Sequence, residues 1–268
     1  MGILAITKKL IKRIILILPS GEVLLKRIVE LRKANQLPSP AIEANKQLLI
    51  DPPNDLKKIF TSHYLNNIWG SEESVSGLGS TLEYTSHIRE EIPKLLEFYK
   101  IKVLLDAPCG DYNWFQTLNR PADVKYIGGD IVEELVIQNQ IKYSNSNTKF
   151  IHLDITSNPL PPADLWLCRD CLFHFSYEDI FKTISNFLKS DIKYILTSIH
   201  TECTQNTDIS TGDARQLNLE LFPFLFPKPI LYMKDWIPGF TVRSLGLWTK
   251  PMIVDCMASN SVIRKSNN

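Results

Sequence analysis

Five short apolar runs recur through the middle of the chain: Lys102–Leu105, Lys125–Gly129, Lys149–Leu153, Asp164–Cys168 and Tyr194–Ile199. Each has strand length, and segments with helical spacing lie between them, over about 132–142 and from Tyr177 to Leu188. Strands that alternate with helices fold as a parallel α/β sheet with right-handed crossovers. Such sheets bind ligands beyond the carboxyl ends of their strands. The first three runs end in Asp106, Asp130 and Asp154, so three carboxylates gather along that one edge. Upstream, Ser80-Thr-Leu-Glu83 reads as a capping box opening a helix to about Ile92, with Pro93 starting a further short helix.

A carboxylate at the end of the second strand can accept both hydroxyls of a ribose, which suits Asp130. One at the end of the third strand can accept from an adenine amine, which suits Asp154, and Ile131 and Ile155 can sandwich the ring between them. The turn Asp106-Ala-Pro-Cys-Gly110-Asp111 brings backbone close to a ligand at a residue without a side chain. An aspartate after a strand can also simply cap the next helix. Three in register are harder to assign to capping alone.

Val103-Leu-Leu-Asp-Ala-Pro-Cys-Gly110, Tyr126-Ile-Gly-Gly-Asp130, Phe150-Ile-His-Leu-Asp154 and Leu165-Trp-Leu-Cys-Arg-Asp170 resemble the successive motifs of the class I S-adenosylmethionine (SAM)-dependent methyltransferases. The resemblance covers roughly residues 80–200. A narrower bacterial methyltransferase-domain group is similar in Trp69-Gly70, Ser76-Gly-Leu-Gly-Ser-Thr81, Asp106-Ala-Pro-Cys-Gly-Asp-Tyr-Asn-Trp114 and Arg169-Asp-Cys171. It implies a Rossmann-like, seven-stranded, mostly parallel sheet of order 3-2-1-4-5-7-6, and SAM as cofactor. The cofactor-binding residues it suggests are Ser80, Arg89, Asp106, Gly110, Asp130, Ile131, Asp154, Ile155 and Arg169. The sequence departs from the general motif in having one glycine, flanked by Pro108 and Tyr112, where three alternate glycines are usual. That lone glycine also argues against a dinucleotide oxidoreductase, which needs Gly-x-Gly-x-x-Gly around its pyrophosphate.

Methyl transfer to a hydroxyl requires an oriented acceptor and a proton sink. Asp170 and His174, after the fourth strand, are the catalytic candidates, His174 as general base. Asp170 can instead brace the Asp111 loop through Arg169, and His174 can be a packing histidine. Arg89, two turns into the capped helix, is placed to meet the methionine carboxylate. Trp114 is expected in the core. The fourth strand lacks the Asn/Asp-Pro-Pro-aromatic motif of many N-methyltransferases, which favours O-methylation of a small molecule or glycan. Leu217–Pro229 is either a lid over the acceptor or a packed connection. Cys168-x2-Cys171-x2-His174 with His200-x2-Cys203 has ligand-like spacing, but Cys168 falls within a strand and no metal is expected. The alternative to an enzyme is a SAM-binding interaction module without turnover.

Residues 1–33 carry eight Lys/Arg and two Glu, a local +6; with +1 overall, the remainder carries −5. A mildly acidic body argues against nucleic acid as partner. Lys8, Lys9, Lys12 and Arg13 share one side of a helical wheel and Ile3, Ile6, Leu10, Ile14, Ile17 and Leu18 the other. Residues 3–18 thus suit either a peripheral membrane contact or packing on a protein surface. We read 1–40 as a helical extension and linker ending near Pro38-Ser-Pro40, and 41–268 as the methyltransferase domain. The five scattered cysteines suggest a reducing, cytoplasmic compartment, and nothing in the sequence selects an oligomeric state.

Overall fold

The computed structural model describes residues 55–256; the basic segment 3–18 and the linker lie outside them. In chain order the elements are α1 (Leu56–Leu65), α2 (Ser86–Phe98), β1 (Val103–Asp106), β2 (Lys125–Asp130), α3 (Glu133–Tyr143), β3 (Thr148–His152), β4 (Leu165–Cys168), α4 (Tyr177–Lys189), β5 (Tyr194–Ile199), β6 (Leu231–Lys234) and β7 (Ser244–Thr249). The strands form one sheet of order β3-β2-β1-β4-β5-β7-β6. β1 to β5 pair in parallel, and β7 runs antiparallel to β5 and β6. This is the order expected from the resemblance.

Period-two alternation sorts the apolar residues onto two faces. Leu105, Ile127, Trp166 and Ile195 meet α4 and the segment around Phe224 on one side. Leu104, Tyr126, Leu165 and Leu196 meet α2, Trp114 and Phe115 on the other. With both faces covered, the central strands can be continuously apolar. Among the described residues no helix is long and apolar enough to cross a membrane.

Three local expectations need correction. The Ser80–Glu83 box does not start a helix. Leu78–Ser80 is a 3-10 turn, and the Thr81 hydroxyl, donating to the Leu78 carbonyl, accepts from the Tyr84 N–H. The Thr85 hydroxyl donates to the Thr81 carbonyl at 2.7 Å, extending the turn, and α2 begins at Ser86. Pro93 does not open a second helix but lies inside α2. Asp164, expected as the first residue of the fourth strand, instead clamps β1: its carboxylate accepts from the N–H of Lys102 and of Val103, each at 2.9 Å. Bonds to a charged acceptor are worth about 1.5–3 kcal/mol, so Asp164→Ala should lower the unfolding free energy by about 2 kcal/mol in urea titration. Asp164→Asn, which keeps an acceptor, should lose less.

Candidate active site

At the carboxyl edge of β1, β2, β3 and β4 lies a cavity of ≈ 270 Å³. Its lining includes ten of the eleven expected residues: Ser80, Asp106, Gly110, Asp130, Ile131, Asp154, Ile155, Arg169, Asp170 and His174. The exception is Arg89. Its guanidinium donates to the Leu82 carbonyl at 2.8 Å and the Thr117 hydroxyl at 3.2 Å, tying the turn before α2 to the loop after Trp114. With α2 starting at Ser86, Arg89 is engaged by that turn and loop and lies outside the cavity lining.

Asp106 is buried, and its Oδ2 accepts from the Tyr126 hydroxyl at 2.7 Å. Burial pushes its carboxyl up to about 7, although the Tyr126 bond and Arg169 pull the other way. Asp130 is also buried; it accepts from the backbone N–H of Gly110 and of Val132, both at 3.0 Å. Burial raises its pKa against the lowering effect of those N–H groups. Each carboxylate oxygen can accept twice, so one accepted bond on each oxygen leaves Asp130 able to receive two more. Asp154 accepts from the Thr156 N–H, the Thr156 hydroxyl and the Ser157 hydroxyl. It therefore also performs the turn-capping role that an aspartate after a strand can take.

The β1 loop is held from three directions. The Asn139 side-chain amide, from α3, donates to the Gly110 carbonyl at 2.7 Å. Asp111 accepts from the Val75 N–H at 2.9 Å and the Ser74 hydroxyl at 3.0 Å. Glu73 accepts from both Asn113 and the Leu82 N–H. Residues 73–80 are thereby tied to the β1 loop, and Val75–Ser80 form one wall of the cavity. Gly110 has φ +56°, and a Cβ there would overlap the Ser76 hydroxyl. The need for glycine is thus set first by the covering segment.

Asp170 is engaged in ion pairs. Burial raises its pKa, but Arg169 and Arg243 more than offset this and hold it below the usual carboxylate range. Its Oδ2 lies 3.3 Å from Arg169 and 2.8 Å from Arg243, so a proton sink here would break a buried ion pair. Arg169 also pairs with the fully buried Asp235 at 2.9 Å and stacks over Trp114 at 5.4 Å. Trp114 is both core and cavity wall. The expected bracing by Arg169 is real, but it reaches the covering segment, donating to the Gly79 carbonyl at 2.7 Å, and not the Asp111 loop.

His174 sits in a 3-10 turn after β4, with Nδ1 2.8 Å from the Asp213 carbonyl. That contact fixes the proton on Nδ1 and leaves the Nε2 lone pair available. Burial lowers its pKa, opposed by the Asp213 bond and Asp170 and assisted by His63 and Arg243. A neutral imidazole with a defined tautomer is the state a general base requires.

The Leu217–Pro229 segment is not a lid. Leu217, Leu219, Phe224 and Phe226 are buried against α4 and Trp248, away from the cavity lining. The cover comes from Trp69 and the segment to Ser80, which carry part of the resemblance, and from Leu56, Phe60 and Tyr64, spaced by four on α1, which no motif marks. Asp235 and Arg243 were likewise missed, lying far downstream with no local motif. Among the described residues no three His, Cys, Asp or Glu side chains converge as a metal site.

No protein-family model matches the chain, and no curated protein matches it in sequence. In structure it is similar to a SAM-dependent methyltransferase of Leishmania major (TM-score 0.53, 12% identity, 70% of this chain and 83% of that one). It is also similar to magnesium protoporphyrin IX methyltransferase of Synechocystis PCC 6803 with bound S-adenosylhomocysteine (TM-score 0.51, 15% identity, 72% and 97%). A third is the 1,6-didemethyltoxoflavin-N1-methyltransferase of Burkholderia thailandensis, with its substrate and S-adenosylhomocysteine (TM-score 0.51, 14% identity, 76% and 92%). These likenesses establish the fold: the Rossmann-like architecture of the class I SAM-dependent methyltransferases.

Gly110→Ala should cost more than about 2 kcal/mol, combining left-handed strain with the clash. Adding Ser76→Ala should restore part of this in a double-mutant cycle by chemical denaturation. Strict additivity would show that the two residues do not meet.

Proposed function

We propose that this protein is a SAM-dependent methyltransferase that methylates a hydroxyl of a small molecule or glycan. The observation that carries the reading is the set of carboxylates in one cavity, each in a different electrostatic state. Asp130 would accept the ribose hydroxyls, with Ile131 and Ile155 against the adenine and the Asp154 turn at its amine edge. Asp106 fits the cationic methionine end: a buried carboxyl whose pKa lies near 7 gains from a neighbouring positive charge. Gly110 and Ser80 would line the path between, and Arg169 would hold the cover closed through Gly79.

Bound there, SAM supplies an electrophilic methyl group on a sulfonium. The chain supplies orientation, exclusion of water and a proton acceptor. His174 Nε2 takes the hydroxyl proton while Nδ1 stays bonded to the Asp213 carbonyl, so the imidazolium that forms remains a donor on both sides. Asp170 and its arginines stay ionised throughout and position the β4 loop. The defined tautomer of His174 favours an enzyme over a module without turnover.

Calorimetric titration with S-adenosylhomocysteine is expected to show binding that weakens at least about tenfold in Asp130→Ala, the cost of roughly one buried hydrogen bond or more. The cationic end should also ionise Asp106, so binding near pH 7 should release protons. Titrations in two buffers of different ionisation enthalpy measure this, and Asp106→Asn should abolish it. A folded protein that binds nothing would sink the reading.

A further inference from the structure

The cavity has two chemically distinct ends. The aspartates and the aliphatic walls lie at β1, β2 and β3. Beyond β4 the lining becomes aromatic: Phe60, Trp69, Phe173, His174 and Phe175. These rings are contiguous. Phe175 lies 5.7 Å from Phe60, which stands edge-on to His63 at 5.8 Å; His63 meets Trp69 at 5.4 Å. Trp69 lies 6.1 Å from His174, which packs on Phe173 at 4.4 Å. Helix α1 supplies one side and the 3-10 turn after β4 the other. Such edge-to-face and tilted arrangements leave ring faces to receive another ring.

Asp170 and the α1 lysines at this end are paired. Asp170 is bridged by Arg169 and Arg243. Lys57 and Lys58 of α1 pair with Glu133 and Asp55. Arg215 donates to the Phe173 and Phe175 carbonyls, and Asp213 faces His174 through its carbonyl. This end carries two imidazoles, His63, whose buried Nδ1 has no hydrogen-bond partner, and His174; of the two, His174 lines the cavity.

We propose that the methyl acceptor is an uncharged, flat aromatic molecule whose single reacting hydroxyl is phenolic and lies against His174 within this ring of side chains. This rests on the methyltransferase reading above and narrows its substrate. A sugar would bring several hydroxyls against a largely aromatic wall, and each hydroxyl desolvated without a partner costs about 1–3 kcal/mol. A protonated amine would meet no uncompensated carboxylate. Phenols are also the hydroxyls a weakly basic imidazole serves best, with a pKa of about 10. The step balances: the phenol O–H proton passes to His174 Nε2, the O–CH3 bond forms as the S–CH3 bond of SAM breaks, and S-adenosylhomocysteine leaves.

Saturation-transfer NMR on the full chain loaded with S-adenosylhomocysteine provides the test, with 2-naphthol, methyl glucoside and benzylamine as probes. We expect 2-naphthol to bind at least about tenfold more tightly than either of the others. Phe60→Ala and Trp69→Ala should each weaken it by about tenfold or more, and Trp69→Phe should recover most of the loss. The urea unfolding midpoint of each variant reports that it is folded, and affinity for S-adenosylhomocysteine, titrated in parallel, should fall several-fold less than affinity for 2-naphthol. Should Trp69→Ala fail to fold, Trp69→Phe and the ranking of probes on the wild type decide. Binding of S-adenosylhomocysteine without 2-naphthol, a preference for methyl glucoside or benzylamine, or indifference to Trp69→Ala overturns the acceptor class and leaves the methyltransferase reading intact. Failure of S-adenosylhomocysteine to bind removes both.

Discussion

The site hangs on a cluster of four charges, the buried Arg169, Asp235 and Arg243 and the partly exposed Asp170. Arg169 and Asp170 leave β4, Asp235 follows β6 and Arg243 precedes β7, so the cluster joins the parallel half of the sheet to its antiparallel edge. Its desolvation cost is large, and removing one member of such a set typically costs about 3–5 kcal/mol, because it strands an unpaired charge. What the cluster provides is geometry. Gly79 packs so closely that a Cβ would come within 2.7 Å of Asp170 and 2.9 Å of Arg243. Tyr84 is seated under Arg243, whose guanidinium lies 4.7 Å from its ring. The segment that covers the cavity is thus held against a fixed electrostatic anchor as well as against the Asp111 carboxylate.

That arrangement separates two roles which the sequence left merged. Asp170 and His174 sit four residues apart after one strand and both looked like catalytic groups. Their surroundings divide them. Two guanidiniums keep Asp170 ionised and occupied, whereas burial and a carbonyl keep His174 neutral with one lone pair available. A comparable division applies to the aspartates at the strand ends, where Asp106 is nearly starved of donors and Asp130 and Asp154 are supplied with them.

The parallel sheet was legible because its strands are buried on both faces and therefore read as unbroken apolar runs; Tyr194–Ile199 was placed to the residue. Strand ends place carboxylates at a known edge whatever the loops do, which is why Asp106, Asp130 and Asp154 were found together from spacing alone. Arg89 failed because its direction depended on where α2 begins. Thr81 settled that locally against a capping box that looked equally sound. The cover failed for another reason. Leu56, Phe60 and Tyr64 make one apolar stripe on a ten-residue helix, too short a pattern to signal which cavity it closes. Arg243 and Asp235 carry no local signature, because a buried ion pair between distant segments is a property of the folded sheet.

The proposed chemistry depends on the orientation of one ligand. A crystal structure of the protein with S-adenosylhomocysteine measures it directly. The account predicts the ribose diol on Asp130, the adenine between Ile131 and Ile155 beside the Asp154 turn, and the sulfur directed toward His174 and the aromatic end. Adenine stacked among Phe60, Trp69 and Phe175, or a ligand bound outside the cavity, would contradict it.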